Sequence, residues 1–342
     1  MAEAFFELTA TDRQEALEIA SQYLGRPPDL LEKDTFVTWA LSVLERAPFG
    51  RHVVFKGGTS LSKAHRVIDR FSEDVDLTYD LRAFAPDVAG DGWPRSRSQA
   101  KAWSTAIQER LGGWVVAEAL PWYQHMAAAD GAPVRVEASV DAGRNSFDLH
   151  LHYGHASPST SAYVAPTVKL EFGARGTGEP HTRHTITADA ASVPALSAIT
   201  FPSAEVSVLT AERTFWEKAT AAHVYVHRTA FRGARGFARH WYDLTRLHTA
   251  GIAERAIADR SLAHEVAQWK ALFFREPGVD YAAAVTGQLR LVPSGEALEA
   301  LGEDYDAMRL AGLFLEEAPG IEEIMHTCTK IEARANETAL RS

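Results

Sequence analysis

Residues 55–77 read FKGGTSLSKAHRVIDRFSEDVDL, and two features of this stretch carry chemistry. Asp74 and Asp76 flank Val75. On a strand, side chains alternate, so both carboxylates share one face while Val75 and Leu77 take the other. Two aligned carboxylates on a rigid element suit Mg²⁺ or Mn²⁺, hard cations that take one or two carboxylates together with substrate phosphates. Upstream, Gly57 and Gly58 let the backbone approach phosphate closely and accept positive φ. Thr59, Ser60 and Ser62 add hydroxyl donors, and Lys63 or Lys56 adds charge. A helix opening after the glycines would point free N–H groups at an anion. Glycine loop, helix and acidic strand in succession make a layout for a nucleoside triphosphate held beside divalent metal. The plain alternative is a tight turn followed by a solvent-facing strand.

Other phosphate and metal motifs do not fit. GGTSLSK lacks the second glycine that a Walker loop places before its lysine. DVDLTYD puts apolar residues where a calcium loop needs ligands. No G-x-S-x-G occurs, so there is no nucleophile elbow. A further carboxylate comes from VKLEFGAR, where Lys169 and Glu171 share one face of a strand pattern. Polymerase-β-type nucleotidyltransferases use a third carboxylate on a neighbouring strand, and Glu171 could complete the site and act as general base. Glu137 and Asp141 are rivals for that place.

The elements that would position these groups are legible in the hydrophobic pattern. Residues 11–24 read as a helix with Thr11 and Gln14 at capping-box spacing and Gly25 as the stop. A second amphipathic helix spans about 34–46. A short strand at 53–55 leads into the glycine loop, a helix covers about 60–69, and the acidic strand follows to Tyr79. Residues 82–100, rich in Pro, Gly, Ser and Arg, read as an exposed insertion. Strands are expected at 134–140, 147–152, 167–172 and 183–187. From about residue 210 the pattern is helical. The fold class is therefore α/β (α+β): a mixed-sheet core over 1–205 with N-terminal helices, and a helical part over 206–342.

Composition narrows the setting. The chain has 342 residues, a formal charge of −10 and a single cysteine, Cys328. A Cys-based metal site and an internal disulfide are excluded, and low cysteine use fits a reducing, cytoplasmic compartment. The N-terminal residues lack a basic, apolar leader, and no apolar run is long enough for a membrane span. The acidic balance argues against an all-over nucleic-acid coat, yet residues 227–248, HRTAFRGARGFARHWYDLTRLH, hold Arg228, Arg232, Arg235, Arg239 and Arg246 among Phe231, Phe237, Trp241 and Tyr242. Arginine interleaved with aromatics suits phosphate contact and base stacking on RNA. The alternative is an arginine-rich segment neutralising acidic neighbours. Arg95 to Lys101 is a second, smaller basic run. His223 and His227 share a helical face, but no third zinc ligand is evident.

FKGGTSLSK, the Arg70-Phe71-Ser72 lead-in and the DVDL strand together resemble the first motif of the AbiEii family of nucleotidyltransferase toxins. VKLEFGAR, FWEKATAAH and RHWYDL resemble its later motifs, so the similarity covers about 35–80 and 165–248. The sequence departs from the family where His240 stands in place of a common aspartate, and fifteen residues separate Gly58 from Asp74. The resemblance implies a polymerase-β-like nucleotidyltransferase core and an enzyme that moves a nucleotide from a triphosphate to an acceptor, most often the 3′ end of tRNA, blocking translation. It implies Mg²⁺ or Mn²⁺ as cofactor and an antitoxin encoded nearby as partner. By position, Asp74 and Asp76 would bind metal, and Gly57, Gly58, Thr59, Ser60 and Lys63 would line the triphosphate. Lys218 would meet the triphosphate or developing charge, Asp243 would be an active-site carboxylate, and Ser72 matches a serine phosphorylated in some relatives. The competing expectations are the same transfer onto a protein or small-molecule hydroxyl, and a non-catalytic nucleotide-binding regulator.

Overall fold

The computed structural model describes residues 3–72, 74–89, 94–141, 143, 145–154, 165–227, 236–274, 276–314 and 317–341. The chain forms two compact units. One holds Met1–Ala64, Glu73–Gly90 and Thr105–Val208; the other holds His65–Ser72, Asp91–Ser104 and Leu209–Ser342. A sequence division at 205/206 assumes a single crossing. The chain instead passes between units repeatedly, because eight residues between the glycine turn and the acidic strand belong to the helical unit.

The strands are β1 (Glu3–Ala4), β2 (Val53–Lys56), β3 (Asp74–Tyr79), β4 (Val134–Asp141), β5 (Ser146–Tyr153), β6 (Thr167–Gly173), β7 (His181–Thr187), β8 (Ile199–Thr200) and β9 (Ser203–Leu209). β1 and β8 form a small parallel pair, and the other seven make one mixed sheet in the order β4-β5-β6-β3-β2-β9-β7. The acidic strand β3 is central, antiparallel to β2 and parallel to β6. One sheet face is apolar: Val75, Leu77, Val168, Leu170, Leu149 and Leu151 are at most 1% exposed. Burying side chains of this size contributes about 1.5–3 kcal/mol each.

The helices are α1 (Ala10–Leu24), α2 (Pro28–Arg46), α3 (Gly57–Lys63), α4 (Leu81–Phe84), α5 (Pro86–Ala89), α6 (Arg97–Trp114), α7 (Leu120–Ala129), α8 (Ala211–His227), α9 (Arg239–Thr249), α10 (Ile252–Ala258), α11 (Arg260–Phe273), α12 (Glu296–Leu310) and α13 (Ile321–Arg341). Thr9, not Thr11, caps α1, accepting from the Asp12 N–H at 3.2 Å; Gly25 ends it at φ 67°. α2 starts six residues earlier than its apolar face suggests, because Pro28 supplies a preset first turn. Its Phe36 ring stacks on Tyr153 of β5 at 4.2 Å, which covers the apolar sheet face. Residues 82–100 are not a plain loop; α4, α5 and the first turn of α6 lie there.

The helix expected over 60–69 is α3, which opens at Gly57 and stops at Lys63. Arg66 then adopts φ 53°, a left-handed conformation that breaks helical continuation. Lys63 anchors the helix end. Its ammonium pairs with Asp34 at 2.5 Å and Asp189 at 3.0 Å, and donates to the Thr187 carbonyl at 3.0 Å. Burial opposes the Lys63 charge, but the two carboxylates hold its pKa above the ordinary value. Replacing Lys63 with Met leaves Asp34 without its cation while Asp189 keeps Arg26, so the unfolding free energy in urea is expected to fall by about 3–5 kcal/mol; Asp34→Asn in the same chain should recover part of that loss.

Candidate active site

The site is built by register. Residues paired directly across neighbouring strands point to the same face. Asp76 lies opposite Lys56 on β2 and Glu171 on β6, and Glu171 lies opposite Asp148 on β5. Asp74 lies opposite Lys169, which lies opposite His150. The strand period thus places Asp74, Asp76, Lys56, Lys169, Glu171, Asp148 and His150 on one polar sheet face, with Val75 and Leu77 buried beneath.

The glycine turn lies directly against this face. Gly57 has φ +78°, and a Cβ there would sit 1.9 Å from Asp76 Oδ2. Only glycine allows backbone and carboxylate this approach. The Thr59 hydroxyl donates to the Asp74 carbonyl, which pins α3 to β3. Ser60 is fully buried and donates to the Gly57 carbonyl at 2.9 Å. These two hydroxyls shape the turn. Lys63, expected at the triphosphate, has its donors filled by Asp34, Asp189 and Thr187, so the lysine beside Asp76 is Lys56.

Charge on the face is balanced locally. Lys169 pairs with Glu171 and reaches Asp148 at 3.5 Å. Burial disfavours its ammonium, but Glu171, Asp148 and Asp74 raise its pKa above the usual lysine value. Burial pushes His150 below the ordinary imidazole value, with Asp148 opposing. Among the described residues, no three His, Cys, Asp or Glu side chains gather as a complete metal cage. Two carboxylates on β3 do match an ion that draws its remaining ligands from substrate phosphate and water. Glu137 lies opposite His150 and Asp141 opposite Ser146, so neither is on a strand adjoining β3.

Within the helical unit, Lys218 and Asp243 meet. Asp243 is fully buried, accepts from Arg70 Nε and Nη2 at 2.7 Å each, and pairs with Lys218 at 2.7 Å. Burial alone would raise the Asp243 pKa, but Arg70 and Lys218 hold it far below the carboxylate range. Burial lowers Lys218, and Arg70 adds to that. His240 lies in the same electrostatic neighbourhood: burial, then Lys218 and Arg239, push it well below 6.5. Its Nδ1 has no hydrogen-bond partner among the described residues. Two buried cations therefore share one carboxylate, with a neutral ring alongside.

Asp148, His150 and the structural task of Arg70 were missed in the sequence. The alternation in SFDLHLHY puts Asp148 and His150 on one face, by the rule that found Asp74 and Asp76. What sequence does not give is that β5 neighbours β6 and β6 neighbours β3. Arg239 is exposed at the start of α9, whereas Arg228, Arg232, Arg235 and Phe231 lie outside the described residues. The His223 and His227 rings lie 4.2 Å apart, tilted by 45°, but His223 Nδ1 accepts the Arg290 N–H at 3.1 Å, a structural bond rather than a ligand position.

A family model described as "Nucleotidyl transferase AbiEii toxin, Type IV TA system" matches residues 39–327. No curated protein matches the chain significantly. Among solved structures, MenT4, a nucleotidyltransferase toxin from Mycobacterium tuberculosis H37Rv, is 18% identical with a TM-score of 0.49, over 95% of this chain and 88% of that one.

His223 generates a pH prediction. It is 1% exposed, and burial pushes its pKa from 6.5 to about 4. The unfolded imidazole takes a proton near 6.5 while the folded one stays neutral to about 4, so in that window the unfolded state binds more protons. Stability should fall as pH drops through it, by up to about 3 kcal/mol from this group. Urea unfolding at pH 7 and pH 5 measures the loss, and His223→Gln should flatten it.

Proposed function

The chain belongs to the AbiEii family of nucleotidyltransferase toxins, and from that membership we propose that it transfers a nucleotide from a nucleoside triphosphate to the 3′ end of tRNA, releasing pyrophosphate and blocking translation. The observation that carries this reading is the contact between the Gly57 backbone and Asp76, on a face that Asp74 and Glu171 share. A turn free of side chain beside paired carboxylates leaves room for polyphosphate where metal ligands already point. Asp74 and Asp76 would hold Mg²⁺ or Mn²⁺, and the bound ion would supply charge that offsets the phosphates. Lys56, across from Asp76, adds positive charge to the same face.

Glu171 accepts the proton of the attacking acceptor hydroxyl. The hydroxyl oxygen bonds to the α-phosphorus as the bond from that phosphorus to the α–β bridging oxygen breaks, and pyrophosphate leaves with the electron pair. Within the helical unit, Asp243 with Arg70 fixes where the Lys218 ammonium stands. The surplus of buried cations over carboxylate in that cluster supports an anionic ligand. Catalysis then comes mainly from positioning and preorganised charge. Arg239, exposed at the start of α9, supports RNA as acceptor, whereas Trp241 and Tyr242 are buried and Arg246 pairs with Asp69, so these do not offer the base-stacking surface expected from the sequence. Toxin family membership also implies a cognate antitoxin as partner. Among the described residues, no helix is long and apolar enough to cross a membrane.

Incubation with each α-³²P nucleoside triphosphate and total tRNA should label tRNA for at least one nucleotide. Asp76→Ala should lower labelling by about 10³-fold with an unchanged circular dichroism spectrum. Undiminished labelling by the folded variant would remove Asp76 from the chemistry; label found only in protein would replace the acceptor.

A further inference from the structure

Nucleotide transfer leaves one aromatic pocket unused. It lies at the C-terminal end of β3, on the other side of that strand from the acids, because Tyr79 follows the alternation of Val75 and Leu77 rather than that of Asp74 and Asp76. The cavity measures about 380 Å³, the lower end of the range for ligand sites. The buried Phe49 and the partly exposed His52, Tyr79 and Trp122 line it, together with the exposed Pro48 and Glu118. Trp114 packs nearly at right angles against Phe49 and Tyr79, with ring centroids 4.9 and 5.3 Å away, and holds those rings in place.

Glu118 reaches the pocket from an uncommon turn. α6 runs into a π turn over Val115–Ala119, in which the Leu120 N–H bonds the Val115 carbonyl, five residues back. Turns of this kind are rare and recur at functional sites. One helical turn on, the Trp122 indole N–H donates to the Val43 carbonyl of α2 at 3.0 Å, which sets the ring before a ligand arrives. Neither the Glu118 carboxylate nor the Tyr79 hydroxyl has a hydrogen-bond or ion-pair partner among the described residues. Arg51 is the neighbouring cation, but its Nε–H is turned to His52 Nε2 at 2.9 Å. Burial raises the Tyr79 pKa, Glu118 raises it further, and Arg51 opposes with the smallest effect, so the field at that hydroxyl is negative.

Aromatic faces around an uncompensated carboxylate are the chemistry of a cation site. An RNA phosphate would be repelled there, and a neutral base stacked on the rings would leave the acid unanswered. We propose that this pocket docks an arginine side chain presented by a protein partner, its guanidinium stacked on the aromatic wall and forked onto Glu118. Arginine fits better than lysine because its planar group stacks on a ring and meets a carboxylate through two parallel N–H donors. Exposed Pro48 and Glu118 leave the cavity open to water, so a free small cation would gain little, whereas a side chain carried by a partner shares the cost of lost freedom with the rest of its interface. The formal charge of −10 favours a basic partner as well. The site stands apart from the transfer chemistry and does not depend on it.

Indole ¹⁵N–¹H spectra of the full chain test it without reference to activity, the Trp122 signal being the one lost in Trp122→Phe. Titration with the capped tripeptide acetyl-Gly-Arg-Gly-amide should shift that signal saturably. The citrulline tripeptide, of the same shape without charge, should leave it in place, and the lysine tripeptide should bind more weakly. Glu118→Gln, a change at an exposed position, should weaken the arginine tripeptide at least about fivefold. The absence of a saturable shift with arginine, an equal shift with citrulline, or parental affinity in Glu118→Gln overturns the proposal. Equal or tighter binding of the lysine tripeptide removes arginine as the occupant. Adenosine or propylguanidinium titrating the signal at lower concentration than the arginine tripeptide would make the pocket a base or small-molecule site and overturn the partner.

Discussion

The site depends on one close approach. The backbone at Gly57 lies so near the Asp76 carboxylate that even a methyl group there would overlap it. The same glycine opens α3 with positive φ, so turn geometry and carboxylate packing make the same demand. Thr59 extends the constraint by bonding the Asp74 carbonyl. Lys63 closes it at the other end of the helix through Asp34 and Asp189. Helix, turn and strand are therefore tied to one another, and the two acids stand on a central strand.

Charge is handled differently in the two units. On the polar sheet face, the partly exposed Glu171 and the buried Asp148 both meet Lys169, and Lys56 stands opposite Asp76; near water such pairs mainly set positions. In the helical unit, Asp243 is removed from water altogether and keeps its charge only because Arg70 and Lys218 both bond it. A buried carboxylate held by two cations is costly to disturb and gives little net stability. Its value lies in fixing an ammonium that burial has already made easier to deprotonate. Asp304 supports the same cluster from α12, accepting the Gly236 and Ala238 N–H groups at 2.6 and 2.7 Å where α9 begins.

Much of this was legible in the sequence. Alternation in DVDLTY gave β3 and the shared direction of Asp74 and Asp76, and alternation in VKLEFG gave β6 with Glu171. Both are local properties of period-two strands. The glycine pair and the helix after it were legible for the same reason. Asp148 and His150 were not, because their importance comes from strand order, which joins residues distant in sequence. Arg70 reads in the sequence only as part of the lead-in to the acidic strand; its partner, Asp243, lies 173 positions away. Lys63 looked like a phosphate ligand by spacing, and only the two acids paired with it, Asp34 and Asp189, reveal an anchor. The helices α6 and α7 were hidden by Pro, Gly and Ser at their leading edge, and β9 by its nearness to the helical region.

The most direct measurement is nucleotide transfer by Gly57→Ala, followed with labelled triphosphate and compared with its urea unfolding curve. The account predicts a loss of at least about 100-fold in transfer, since the added methyl must displace the Asp76 carboxylate, with the chain still folded. Transfer near the parental rate in the folded variant would contradict it, because the carboxylate would then tolerate displacement that a metal-holding group cannot.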